Sequence, residues 1–239
     1  VGWGEAAPMP GYSADALAAA DAAVARAFGD ARWARALADG DVGSIAALSA
    51  DVAQASPAAA CAMESAALDL LARREGVPLA DLLAGGDATP RRVAVNGVVP
   101  PTTPAAAVSR FRPLFERGIR AAKVKVGRSE MSAETAVVAA LRATFGDDLE
   151  LRLDANGAWA ADEVADRLAP FAYAHPRFCE QPSPPGTLRS LGELPVPFAA
   201  DESSARRDEI DALLSSPPAA MRALVLKPMA VGGALRCLE

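Results

Sequence analysis

The sequence predicts an α/β protein whose larger part is a (β/α)8-type, TIM-like barrel, incomplete at its C-terminal end. Three observations predict it. From residue 92 onward, short apolar runs alternate with helical segments at roughly 22 to 30 residues per unit, the size of a βα repeat. A polar residue closes strand after strand, which is how barrel enzymes assemble a site at one mouth. The first of these strands ends Asn96-Gly97-Val98-Val99-Pro100-Pro101. That is not the Gly-x-Gly-x-x-Gly that opens an open dinucleotide-binding sheet.

Residues 1–91 follow a different pattern. Val1-Gly2-Trp3-Gly4-Glu5 reads as a short strand, and Pro8, Pro10 and Gly11 as a turn. Ser13 is placed to N-cap an Ala-rich helix ending near Gly29. Helices are expected over 31–38, 44–54 and from Pro57 to Gly76, the last carrying Leu68, Leu71 and Ala72. Pro78 opens a short helical turn that Gly85-Gly86 closes. In residues 92–239 the strands are expected at 93–99, 121–126, 149–154, 177–181, 196–201 and 223–227. Helices fall between them, at 104–117, 130–144, 159–174 and 204–214. A closed barrel has eight strands, so two more are expected beyond Glu239. With no Met at Val1, a longer natural protein is expected. The open edges predict that these residues alone are unstable or inactive.

Bulk properties narrow the function. The chain has 239 residues, 51% hydrophobic, with a net charge of −6. There is no basic cluster to suit a nucleic acid. No apolar run approaches the ~18 residues of a membrane span, and no signal peptide is read. Cys61, Cys179 and Cys237 are odd in number and form no CxxC, which suits reduced thiols. A cytoplasmic protein acting on a small molecule is expected, with neither nucleic acid nor membrane as partner.

Only three of the 24 basic residues are lysine: Lys123, Lys125 and Lys227. All three lie in apolar, strand-like runs. Arginine keeps its proton near neutral pH, whereas a lysine can be tuned to act as a base. Three strands end in an acid: Asp154, Glu180 and Asp201. Each alone would serve as a helix N-cap. On successive barrel strands they converge, and converging anions require a cation. Oxygen ligands without His or Cys favour a hard ion, Mg²⁺. Lys123 and Lys125 are two apart on one strand and share a face. A neighbouring ammonium would lower the pKa of the outer amine. Lys227, on the sixth strand, would approach from the opposite side. A carboxylate substrate could then lose its α-proton to a lysine, the metal stabilising the enediolate. Asn156, two residues past Asp154, would hydrogen-bond behind the metal ligands.

These residues, in Lys123-Val-Lys125, Asp154-Ala-Asn156, Glu180-Gln-Pro, Asp201-Glu-Ser and Lys227-Pro-Met-Ala-Val-Gly-Gly, resemble the enolase superfamily in its muconate-lactonizing-enzyme subgroup. Gly2-Trp-Gly-Glu-Ala-Ala-Pro and Ala62-Met-Glu-Ser-Ala-Ala-Leu resemble parts of that family's α+β capping domain. The resemblance implies a partial capping domain over 1–91 and barrel strands one to six over 92–239. It implies Asp154, Glu180 and Asp201 as Mg²⁺ ligands, Lys125 and Lys227 as acid/base lysines, and Lys123 assisting Lys125. Subgroup activities include o-succinylbenzoate synthase, N-succinylamino acid racemase, dipeptide epimerase and muconate cycloisomerase. Lys227-Pro228 followed by Gly232-Gly233 looks most like the first two. The expectation is therefore a lyase of menaquinone biosynthesis that dehydrates its substrate to o-succinylbenzoate, with an isomerase as alternative. A catalytically silent barrel that binds a carboxylate is the non-enzyme alternative. His175 reads as a loop residue, Gly232-Gly233 as a tight turn, and Trp33 as helix packing. Trp3 and Tyr12 are candidates to touch substrate from the cap.

Overall fold

A computed structural model describes residues 1–86 and 92–239. The expected boundary between 91 and 92 borders a stretch outside the described residues. The chain forms two compact units. One joins the N-terminal helices to residues 205–207 and 226–239; the other holds residues 92–204 and 208–225.

The first unit contains α1 (Leu17–Phe28), α2 (Ala31–Asp39), α3 (Val42–Ala53), α4 (Pro57–Glu75) and α5 (Leu79–Ala84). Ser56 caps α4 by accepting the Ala59 N–H at 3.0 Å, and Pro57 sits where a missing N–H costs nothing. Gly76, left-handed at φ 70°, ends the helix. Trp33, Ile45 and Leu71 are buried together, so Trp33 is a packing residue. Two expectations fail here. Ser13 does not cap α1, which starts at Leu17; its hydroxyl instead accepts the Met9 N–H at 2.8 Å and closes a turn. Residues 1–5 form no strand. They run along α4, where a Cβ on Gly2 would lie 2.0 Å from the Ala66 carbonyl oxygen and one on Gly4 1.9 Å from that of Ala62. The alternating glycines serve this close backbone approach, a role indistinguishable from strand alternation in the sequence.

Two short C-terminal helices, Pro228–Val231 and Ala234–Leu238, belong to the same unit. Glu64 of α4 is 1% exposed and accepts the Leu235 N–H at 3.0 Å. Burial pushes its carboxyl above the ordinary value of 4.5, against the lowering pull of the Leu235 and Ala234 amides and Ser49. A raised folded value means this group's contribution to stability is full below its unfolded pKa and lost as pH rises through the folded one. We expect the Glu64→Gln protein to lose that part of the pH dependence of urea unfolding, while the wild type gains stability as pH falls toward 4.5. Parallel pH profiles for the two would refute this.

The second unit is a parallel sheet of β1 (Asn96–Val99), β2 (Ala121–Lys125), β3 (Glu150–Asp154), β4 (Cys179–Glu180), β5 (Phe198–Ala200) and β6 (Met221–Leu224). Their spatial order is the chain order, β1 to β6, with every neighbour parallel. A doubly wound sheet reverses its strand order at a switch point; this one never does. It is the α/β arrangement of a TIM-type barrel, as the sequence predicts. Two helices, Pro104–Glu116 and Met131–Phe145, follow β1 and β2. The expected helix over 159–174 is instead α-helical only at Val164–Leu168 and 3-10 at Ala169–Ala174, where Pro170 lacks a donor.

Strand alternation sorts the side chains. On β2, Ala122 and Val124 join the core with Phe111 and Leu141, whereas Lys123 and Lys125 occupy the opposite face. The helix after β1 packs close to its strand: a Cβ on Gly97 would lie 2.6 Å from Leu114 Cδ1 and 2.8 Å from Phe111 Cε2. Gly97→Ala is expected to cost about 1–3 kcal/mol of stability through overpacking. An alanine protein that unfolds at the wild-type urea midpoint would contradict this.

Candidate active site

The C-terminal ends of β2 to β5 carry one polar cluster. In the sheet register Lys125 lies beside Asp154, Asp154 beside Glu180, and Glu180 beside Ala199. Neighbouring residues in parallel strands point the same way, and Asp201 is two past Ala199, so all of these share one face. The register thus brings together Lys123, Lys125, Asp154, Glu180 and Asp201. Asp154, Glu180 and Asp201 are 0%, 4% and 3% exposed.

The lysines sit among the acids. The Lys123 ammonium donates to Glu180 Oε1 at 2.6 Å and lies 2.8 Å from Asp154 Oδ2. The Lys125 ammonium donates to Asp154 Oδ2 at 2.6 Å and to Asn156 Oδ1 at 2.7 Å. In this geometry the cation between Asp154 and Glu180 is therefore an ammonium. Among the described residues, no three His, Cys, Asp or Glu side chains are gathered as a metal-holding group. Burial alone would lower the Lys123 amine, but its hydrogen bonds to Asp154 and Glu180 outweigh that and hold it above the ordinary lysine value. The sequence argument, which counted Lys123 only as a neighbouring charge on Lys125, misses these ion pairs.

Glu180 is pushed up to about 7 by burial, then by a hydrogen bond with Asp201 and the Asp154 charge, against the pull of Lys123. Three carboxyl groups thus meet two ammonium groups, and their oxygens are the donor type that a hard divalent cation takes.

Supporting residues escape the sequence reading. The Gln181 side chain is fully buried and every hydrogen bond of its amide is directed at the site's loops. Nε2 donates to the Ser183 carbonyl and Ser203 Oγ, and Oε1 accepts the Asp201 and Ser203 N–H groups at 3.0 and 3.1 Å. It ties the end of β4 to the loop that carries Asp201. Glu134 accepts three backbone N–H groups, from Gly127, Arg128 and Ser129, at 2.8–2.9 Å. It thereby holds the loop that leaves Lys125. Glu202 accepts from Asn156 Nδ2 at 3.0 Å. Asn156 and Gln181 have left-handed backbones, φ 45° and 39°, and strain of this kind collects at functional sites. The only hint in the sequence is adjacency: Gln181 follows Glu180 and Glu202 follows Asp201.

The strand expected over 223–227 is instead Met221–Leu224, so Lys227 lies past it, at the N-cap position of the helix Pro228–Val231 in the first unit and without a side-chain cap hydrogen bond. Pro228 has no N–H with which to continue a ladder. The Lys227 ammonium lies 4.0 Å from the centroid of the Tyr12 ring in that same unit. Trp3 is 73% exposed. His175 is an exposed left-handed residue after the 3-10 turn, and Gly232-Gly233 forms the turn between the two C-terminal helices, both as expected.

Comparison with known proteins adds a second line of evidence. The model of the enolase C-terminal domain-like family matches residues 106–239. A hydrophobic dipeptide epimerase of Roseobacter litoralis is 32% identical over 197 residues, 80% of this chain and 55% of that protein. An o-succinylbenzoate synthase of Thermobifida fusca is 35% identical over 157 residues, 62% of this chain and 47% of that one. The crystal structure of MenC from Desulfotalea psychrophila superimposes with a TM-score of 0.79 at 25% identity, covering 98% of this chain and 71% of the other. The chain spans about half the length of the curated relatives it matches. No helix among the described residues is long and apolar enough to cross a membrane.

Proposed function

The chain belongs to the enolase C-terminal domain-like family, and from that premise we propose that its protein removes the proton α to a carboxylate of a small organic acid. The observation that carries this is the Lys125 amine at a strand end, 2.6 Å from Asp154 and 2.7 Å from Asn156. It is a potential base held by an acid on one side and an amide on the other. Asp154, Glu180 and Asp201 would hold Mg²⁺. That ion, when bound, would supply positive charge against the substrate carboxylate as its α-carbon becomes electron-rich. The residues do the rest. Asp154 and Asn156 orient the Lys125 amine toward the α-proton, and Lys123 keeps positive charge beside Asp154 and Glu180. Lys125 takes the proton and, in a dehydration, returns it to the departing hydroxyl.

Among the family's reactions we favour dehydration to o-succinylbenzoate, in menaquinone biosynthesis. The Lys227-Pro228 and Gly232-Gly233 pattern supports this reading. The rival reading is an isomerase: N-succinylamino acid racemase, dipeptide epimerase or muconate cycloisomerase. The identity to a dipeptide epimerase, 32% against 35% for an o-succinylbenzoate synthase, keeps it in play.

A substrate panel on the full-length protein tests the proposal: the o-succinylbenzoate precursor, N-succinyl amino acids, dipeptides and muconate. Dehydration of the first, abolished by chelator and restored by Mg²⁺, is the expected result. Racemisation of N-succinyl amino acids without dehydration would select the rival. Absence of α-proton exchange from every member would leave the silent carboxylate-binding barrel.

A further inference from the structure

We infer that Glu202 is a positioning residue for Lys125, acting through the amide of Asn156; the catalytic part of this inference rests on the function proposed above. The chain of contacts is short. Lys125 Nζ donates to Asn156 Oδ1 at 2.7 Å, and Asn156 Nδ2 donates to Glu202 Oε1 at 3.0 Å. An asparagine amide has one accepting end and one donating end, and nothing in its shape decides which way round it sits. Glu202 Oε1 takes the NH₂ end, which leaves the carbonyl oxygen for the Lys125 ammonium. The backbone of Asn156 is already fixed: its N–H donates to Asp154 Oδ1 at 3.0 Å and its φ is 45°. The amide rotation is the remaining freedom, and Glu202 holds it from the end opposite the donor-only Lys125 ammonium.

A second observation points the same way. The other Glu202 oxygen, Oε2, is buried and has no hydrogen-bond partner among the described residues. Burying a carboxylate oxygen without a donor is costly, and a glutamine would be cheaper to bury there. But a glutamine can offer either end to Asn156, so it would not set the amide. The accepting oxygen of the acid, Oε1, is what the position uses.

The test is a double-mutant cycle on the full-length protein, with Glu202→Ala, Asn156→Ala and the double variant. Because the chain has only three lysines, selectively labelled lysine gives one ¹³Cε/¹⁵Nζ signal each in this segment, and loss of a signal in Lys125→Arg assigns it. Each single variant should move the Lys125 signal, and the double variant should move it no further. In the same proteins kcat for α-proton exchange should fall about tenfold with KM within about twofold, and again without additivity. Glu202→Gln should shift the signal in the same direction by less. Additive shifts, an unmoved Lys125 signal in Glu202→Ala, or a Glu202→Gln protein identical to wild type would each overturn the inference. If the signal cycle closes while the wild type exchanges no α-proton, the functional reading fails and the positioning contact stands.

Discussion

Lys125→Ala is expected to abolish α-proton exchange, lowering kcat by about 10³-fold, the middle of the range for loss of a general base. Lys125→Arg should be as inactive. Arginine restores the charge beside Asp154 but cannot give up a proton near neutral pH. The pair of variants therefore separates proton transfer from charge, which alanine alone does not. Neither should unfold the protein. Asp154 keeps its partner Lys123 at 2.8 Å when Lys125 is gone, so the stability change should stay within about 1 kcal/mol, as for ordinary substitutions. Exchange in D₂O followed by NMR, with urea unfolding in parallel, reads both. An arginine protein keeping a tenth or more of the wild-type rate would remove Lys125 from the base role.

Asp154→Ala should behave in the opposite sense, losing stability as well as activity. The carboxylate accepts from three groups: Lys125 at 2.6 Å, the Asn156 N–H at 3.0 Å, and Lys123 pairs with it at 2.8 Å. It is wholly buried, while the two lysine side chains are 20% and 27% exposed. Removing it strands two ammonium groups in a largely dry cluster. Breaking a buried pair costs about 3–5 kcal/mol. Partial exposure of the lysines, and Glu180 remaining as a partner for Lys123, favour the lower end. Asp154→Asn should cost less, since its carbonyl still accepts. The proposal also makes Asp154 a Mg²⁺ ligand, so added Mg²⁺ should raise the melting temperature of the wild type but not of Asp154→Ala. A loss below about 1 kcal/mol in urea would show that the cluster does not depend on this acid.

The asymmetry between these neighbours explains how much of the site the sequence discloses. Lys125 and Asp154 stand out from the sequence because each ends an apolar run, and period-two alternation sends Lys123 the same way as Lys125. Their pairing as ions does not stand out. It depends on the register of β2 against β3 and of β3 against β4, and a strand's register is a long-range property. Gln181 and Glu202 escape the sequence for the same reason: they bond partners 22 and 46 residues away, Ser203 and Asn156, and a Gln or Glu in a polar stretch resembles a solvated one. Glu134 bonds only 5–7 residues back, to Ser129, Arg128 and Gly127, but in the first turn of its helix it reads as an ordinary surface acid. The failed strand at residues 1–5 is the converse case. Alternating glycines imitate a strand when only the neighbouring helix reveals that they permit close contact.

By itself the sequence determined the α/β alternation, the order of strands and the residues at their ends, because these follow from local periodicity and from where apolar runs stop. Tertiary structure alone decided that the acids and lysines pair as ions, that Glu180 is pushed up to about 7, and that Lys227 lies past its strand against Tyr12. Charge pairing and desolvation depend on distance through space and on what excludes water. Neither quantity is set by neighbours in the chain.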